Sequence, residues 1–182
     1  MKQESPPIHL DVKAFAHTEN TLIGHELLIN YERLSQETQR VGGDRKLNWA
    51  AQGELRVDES GAEQIWLHLT VEVSLPLTCQ RCMGPVDIEI AVKRSFRFVA
   101  SEKVAEEQDE DSEEDVLALS PEFSLADLIE DEVLMALPVV PRHETCPVAV
   151  KLAVEDPDFE AASAEKRNPF AVLAKLQGGK SS

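Results

Sequence analysis

The chain of 182 residues has room for one sizeable domain with tails or for two small ones, and its 42% apolar content is that of a globular protein. Aromatic residues are only 5%, so the core has to be mainly aliphatic. A formal charge of −16 disfavours a general nucleic-acid binder, because affinity for phosphate backbones comes from Lys and Arg. The charge is uneven: residues 1–100 hold 11 basic and 14 acidic side chains, whereas residues 101–182 hold 7 and 20. The first part can therefore still present a local basic patch. Three Cys is an odd number for a disulfide framework. Met1–Pro7 lacks the apolar core of a signal peptide, and no stretch reaches transmembrane length. A reducing cytoplasm, with thiols free or bound to metal, is the expected setting.

In chain order, Leu22–Asn30 reads as a short strand and Tyr31–Arg40 as polar and rich in helix formers, broken by Gly42-Gly43-Asp44. From Leu47 the period changes to two. Leu47, Trp49, Ala51, Leu55 and Val57 alternate with polar residues, and Asp58–Gly61 is a turn signal. A second alternating run extends from Ile65 to Leu75 and a third from Val86 to Phe98. Long alternating runs with short connections predict an antiparallel meander with one buried face. Residues 101–115 are nearly continuous acid, which predicts a mobile loop. Ser124, with Asp127 three residues on, opens a helix over 124–137 whose apolar face is Leu125, Leu128, Ile129, Val133 and Ala136, and Pro138 stops it. Residues 151–167 read as mobile, and Asn168–Leu176 as a short apolar helix.

Cys79 and Cys82 stand two residues apart in the turn between the second and third alternating runs. Such a turn places two sulfurs on one metal ion or closes a reactive disulfide. His143 and Cys146 supply the other two ligands that tetrahedral zinc requires, so Cys79, Cys82, His143 and Cys146 form the candidate metal set. A redox Cys-x-x-Cys pair normally starts a helix, whereas Pro85 and a strand follow here. Two small residues in a turn, without metal, is the plain alternative. Arg81, Lys93 and Arg97 gather near this hairpin and its second strand; a solvated face is the default and a contact surface for RNA or protein the functional option. Glu132 falls within the apolar helix face, and Arg94 interrupts the apolar row of the third run. Two misfits of opposite charge on faces expected to pack predict that Arg94 and Glu132 meet; the plain alternative is that each lies at the rim of its face and reaches solvent. No phosphate loop, nucleophile elbow or His-Glu-x-x-His is present, so no catalytic residue is assigned.

The Cys79-Gln80-Arg81-Cys82 turn after an alternating strand, the run Glu130–Pro141, the nearby His143 and Cys146, and the segment Asn168–Leu173 together resemble the YceD family of large ribosomal RNA subunit accumulation proteins. The resemblance covers most of the chain, with its motifs between about Leu47 and Leu176. It implies a cytoplasmic bacterial protein needed for the synthesis, processing or stability of large-subunit ribosomal RNA, and it implies no reaction. Family members often carry further Cys where His143 and Cys146 stand here.

These readings define an α+β domain spanning 1–182: an antiparallel sheet with a packed helix, an acidic loop at 101–115 and a mobile region from 151 to 182. The expected function is non-enzymatic support of large-subunit ribosomal RNA, with zinc as the candidate cofactor and ribosomal RNA or a ribosome-maturation protein as partner. No membrane is expected. The alternatives are a zinc-stabilised protein-interaction module without an RNA role, and a thiol oxidoreductase using Cys79 and Cys82.

Overall fold

The structure, a computed structural model, describes residues 9–58, 60–110 and 112–150. The three alternating runs form its long strands, β2 (Lys46–Val57), β3 (Glu63–Thr78) and β4 (Pro85–Val99), preceded by β1 (Thr21–Leu27). Each of these four strands pairs antiparallel with the next. Period-two alternation sends Leu67, Leu69, Val71, Val73 and Leu75 of β3 to one face, with Leu47, Trp49 and Ala51 of β2 and Ile90, Val92 and Phe96 of β4 beside them, all buried.

Helix α1 (Val12–His17) packs against β2 and β3, and Asp11 caps its N-terminus by accepting from Ala14 N–H at 2.9 Å. The close approach requires Gly53: a Cβ there would lie 2.7 Å from the Phe15 carbonyl oxygen and 2.9 Å from the Ala16 Cα. A 3-10 turn (Leu28–Asn30) leads into α2 (Glu32–Glu37). The helix expected at 124–137 is α4 (Leu125–Met135), with Ser124 Oγ accepting from Asp127 N–H at 3.2 Å. Its Leu125, Ile129 and Val133 are buried in the same core as the strands.

Glu130 of α4 is buried as well, because it caps a different helix. Tyr31 offers α2 no side-chain cap, and Glu130 Oε1 instead accepts from the N–H groups of Arg33 at 2.8 Å and Leu34 at 3.1 Å. Its other oxygen takes the Arg33 Nε at 2.9 Å. A carboxylate at a helix N-terminus satisfies orphan donors and faces the positive end of the helix dipole.

The reading of 101–115 as a loop needs correcting. Glu102–Asp109 form helix α3, and Asp115–Ala118 form a fifth strand, β5, which pairs parallel with β4. Glu, Lys, Ala and Gln are good helix formers, Ala105 gives the helix a buried contact, and Arg97 offsets part of the acidic repulsion. A parallel partner cannot follow a tight hairpin, and α3 provides the crossover. The sheet is therefore mixed, in the order β1-β2-β3-β4-β5.

By its internal contacts Met1–Cys146 forms one unit and Pro147–Ser182 a second, of which only 147–150 are described. The expected helix Asn168–Leu176 and the region 151–182 lie outside the described residues. Among the described residues no helix is long and apolar enough to cross a membrane.

Candidate metal centre

The turn joining β3 to β4 is closed by its own backbone. Cys79 N–H donates to the Gly84 carbonyl at 2.8 Å and Met83 N–H to the Cys79 carbonyl at 2.8 Å. Met83 takes a left-handed conformation, φ +58°, to complete this tight return. The segment after α4 docks onto the turn: Gln80 N–H donates to the Pro141 carbonyl at 2.9 Å, and His143 N–H points at Cys79 Sγ from 3.5 Å. Pro138 ends the helix and the chain bends at 139–140, after which His143 and Cys146 reach the hairpin tip.

Arg81 holds the two halves together. Its Nη2 donates to the carbonyls of His143 at 2.9 Å and Glu144 at 3.1 Å, and its Nε lies 3.0 Å from Cys146 Sγ. Expected on a contact surface, Arg81 instead spends its donors inside the site. Sequence patterning gives no sign of this role, since the residues it clamps lie far along the chain.

The ligand atoms of Cys79, Cys82, His143 and Cys146 all lie within 4.8 Å of one another. Cys79 Sγ is 3.9 Å from Cys146 Sγ, and Cys82 Sγ is 3.5 Å from His143 Nδ1. Tetrahedral zinc with Zn–S near ~2.3 Å and Zn–N near ~2.05 Å requires about 3.8 Å between sulfurs and about 3.6 Å between sulfur and nitrogen. The spacing thus fits a divalent ion of zinc's size, and the three cysteines are free thiols. Three thiolates and a neutral imidazole around such an ion leave a net negative charge, which the Arg81 guanidinium faces.

Cys79 is fully buried. Burial pushes its thiol up, but the N–H groups of His143, Cys82 and Arg81 outweigh that and bring it down to about 5. The Cys82 thiol is pulled down by the Gly84 N–H, yet burial and the sulfurs of Cys146 and Cys79 leave it raised. Neighbouring sulfurs that resist ionising together are the condition that a bound cation relieves.

The remaining sequence-selected residues lie on β4 and α4, away from this centre. Arg94 pairs with Asp115, and its Nε is 3.6 Å from Glu132 Oε2, so the structure brings Arg94 and Glu132 together with a third partner. Arg97 is half-buried and donates to Glu114 at 2.8 Å, Gln108 at 2.7 Å and Ser112 at 2.9 Å. Lys93 is exposed. A polar relay escaped the sequence reading: His68 Nε2 lies 2.5 Å from Glu54 Oε2, and His68 Nδ1 lies 2.8 Å from Ser95 Oγ. Its members sit on three strands, and only register aligns them.

Fold and site together define an α+β protein in which a Cys3His cluster ties the tip of a long hairpin to the segment that follows α4. A family model described as large ribosomal RNA subunit accumulation protein YceD matches residues 67–177, and the chain belongs to that family. A curated relative of Haemophilus influenzae, named large ribosomal RNA subunit accumulation protein YceD, is 28% identical over 179 residues, which cover 97% of this chain and 99% of the relative. No solved structure matches.

Proposed function

We propose that this protein supports the accumulation of large-subunit ribosomal RNA as a non-enzymatic cytoplasmic factor, with zinc bound by Cys79, Cys82, His143 and Cys146 closing its hairpin tip. Membership of the YceD family, with a relative of that name aligned along nearly the whole chain, carries the RNA part of this reading. The convergence of four ligand atoms within 4.8 Å carries the metal part. Zinc here is structural: all four positions of a tetrahedron are taken by side chains, leaving none open for a substrate. The partner is ribosomal RNA or a protein of ribosome maturation.

The lowered Cys79 thiol is the one observation that favours a thiol oxidoreductase. Its complete burial weighs against that reading, since a substrate disulfide has no access to Cys79 Sγ.

The test is the ratio of large- to small-subunit ribosomal RNA in bacteria lacking the protein. The unmodified protein should restore a depressed ratio, and Cys82→Ser should restore it poorly. A ratio indifferent to loss of the protein overturns the RNA reading. Full restoration by Cys82→Ser, with no metal in the purified protein, overturns the zinc reading.

A further inference from the structure

The face of the sheet turned away from the main core holds a second construction. Register sets Trp66 beside Arg97 and Arg97 beside Val116, His68 beside Ser95, and Thr70 beside Lys93. Alternation turns these residues to the side opposite Leu67 and Leu69. Trp66 is buried yet lies outside the main core cluster, with the Arg56 guanidinium 4.3 Å over its ring. The His68 ring follows along the same strand, 6.3 Å from the Trp66 ring and within 13° of parallel.

Acidic and amide side chains close this face on one flank. Arg97 is left 13% exposed by Gln108, Ser112 and Glu114. On the other flank a concavity of about 470 Å³ has Gln52, Glu54, His68, Thr70, Lys93 and Ser95 among its lining residues, with Glu54 engaged by His68. A second, of about 310 Å³, also borders Lys93 and is walled by Glu113, Glu114 and Asp115. Lys93 carries no ion pair among the described residues.

A partly exposed ring backed by a second ring, with hydroxyls and cations beside it, is the chemistry that takes single-stranded nucleic acid: rings stack on bases and cations track the backbone. A carboxylate on an arginine fork occupies the place of a phosphate. We infer that this face binds single-stranded RNA, with Lys93 and Arg97 on phosphates and the His68 ring against a base, and that Gln108, Ser112 and Glu114 hold it shut in the free protein. The inference rests on the RNA reading above and adds a site and a latch to it. It also accounts for RNA contact by a chain of charge −16: Glu114 offsets Arg97 until RNA competes for it.

The test is fluorescence anisotropy of a labelled single-stranded oligoribonucleotide against the full chain. Glu114→Gln should tighten binding by about tenfold at low salt, a gain that shrinks as salt rises, because each phosphate contact releases counterions. Ser112→Ala, which removes one Arg97 partner without changing charge, should give a smaller gain in the same direction and covers the case in which Glu114→Gln does not fold. Arg97→Gln or Lys93→Gln added to Glu114→Gln should abolish the gain. Unchanged affinity in both latch variants, or a gain indifferent to Arg97 and Lys93, overturns the inference. Tighter binding of polyglutamate but not of RNA overturns it in favour of an acidic protein partner. The ribosomal RNA ratio separates the two readings: restoration of that ratio without any latch effect sinks the RNA face alone, and no effect of the protein on that ratio sinks the earlier reading.

Discussion

Arg94 Nε on β4 lies 3.6 Å from Glu132 Oε2 on α4, and the Glu132 side chain is only 9% exposed. Burial raises the Glu132 carboxyl, Arg94 opposes that, and Asp115 and Asp131 add to it. A carboxyl raised in the folded state binds its proton more tightly there than in the unfolded chain. Its ionisation therefore costs stability as pH climbs through the unfolded and then the folded value. Glu132→Gln should be neutral or slightly stabilising at pH 7, with the difference from the parent fading below the carboxylate range. A double-mutant cycle with Arg94→Met should give a coupling of about 0.5–1 kcal/mol, small because Arg94 is 44% exposed and Asp115 is its nearer partner. Strict additivity in urea unfolding would show that the two do not interact.

Glu54 shows the opposite sign. Hydrogen bonds from Arg56 and then His68 hold its carboxyl down at about 2. That stabilisation is complete above the unfolded carboxylate value and is lost as pH falls toward 2. Glu54→Gln should cost about 0.5–1 kcal/mol at pH 7, a modest figure because the pair is partly solvated, and nothing once the pH is below about 2. A cost independent of pH would assign the effect to packing.

Protein purified without chelator should carry one equivalent of zinc by metal analysis. Cys82→Ser, or removal of the ion by a strong chelator, should lower stability by about 3 kcal/mol, or about 10 °C in Tm for a chain of this size. Metal-free protein with an unchanged melting curve would dissolve the site.

Glu130→Ala should destabilise the fold by about 2 kcal/mol, since it strips the Arg33 and Leu34 N–H groups of their acceptor. Hydrogen exchange at those two amides should rise more than elsewhere in α2. Protection that survives the substitution would show that another group caps the helix.

Gly53→Ala should cost about 2–3 kcal/mol, because its Cβ would meet the backbone of α1, which cannot move aside as a side chain can. A neutral result in urea unfolding would mean that α1 re-docks freely.

The sequence by itself determined β2, β3, β4 and α4, because their signals are local. Alternation of apolar residues from Leu47 to Phe98 marks the strands and the face each buries, and Ser124 with the Leu125, Ile129 and Val133 spacing marks the helix and its cap. The Cys79–Cys82 turn was legible for the same reason. Tertiary structure decided what depends on encounters between distant segments. Residues 101–115 look repulsive in isolation; Arg97, set beside them by the sheet, offsets part of the repulsion, and Ala105 finds a buried contact, so α3 and the parallel β5 form. Arg81 reads as a surface charge, and nothing local marks a role for Glu130, until folding brings His143 and Cys146 to the one and the start of α2 to the other. A charged side chain's role is set by whichever donors or acceptors lie within about 3 Å of it, and a one-dimensional pattern of polarity carries no such distances.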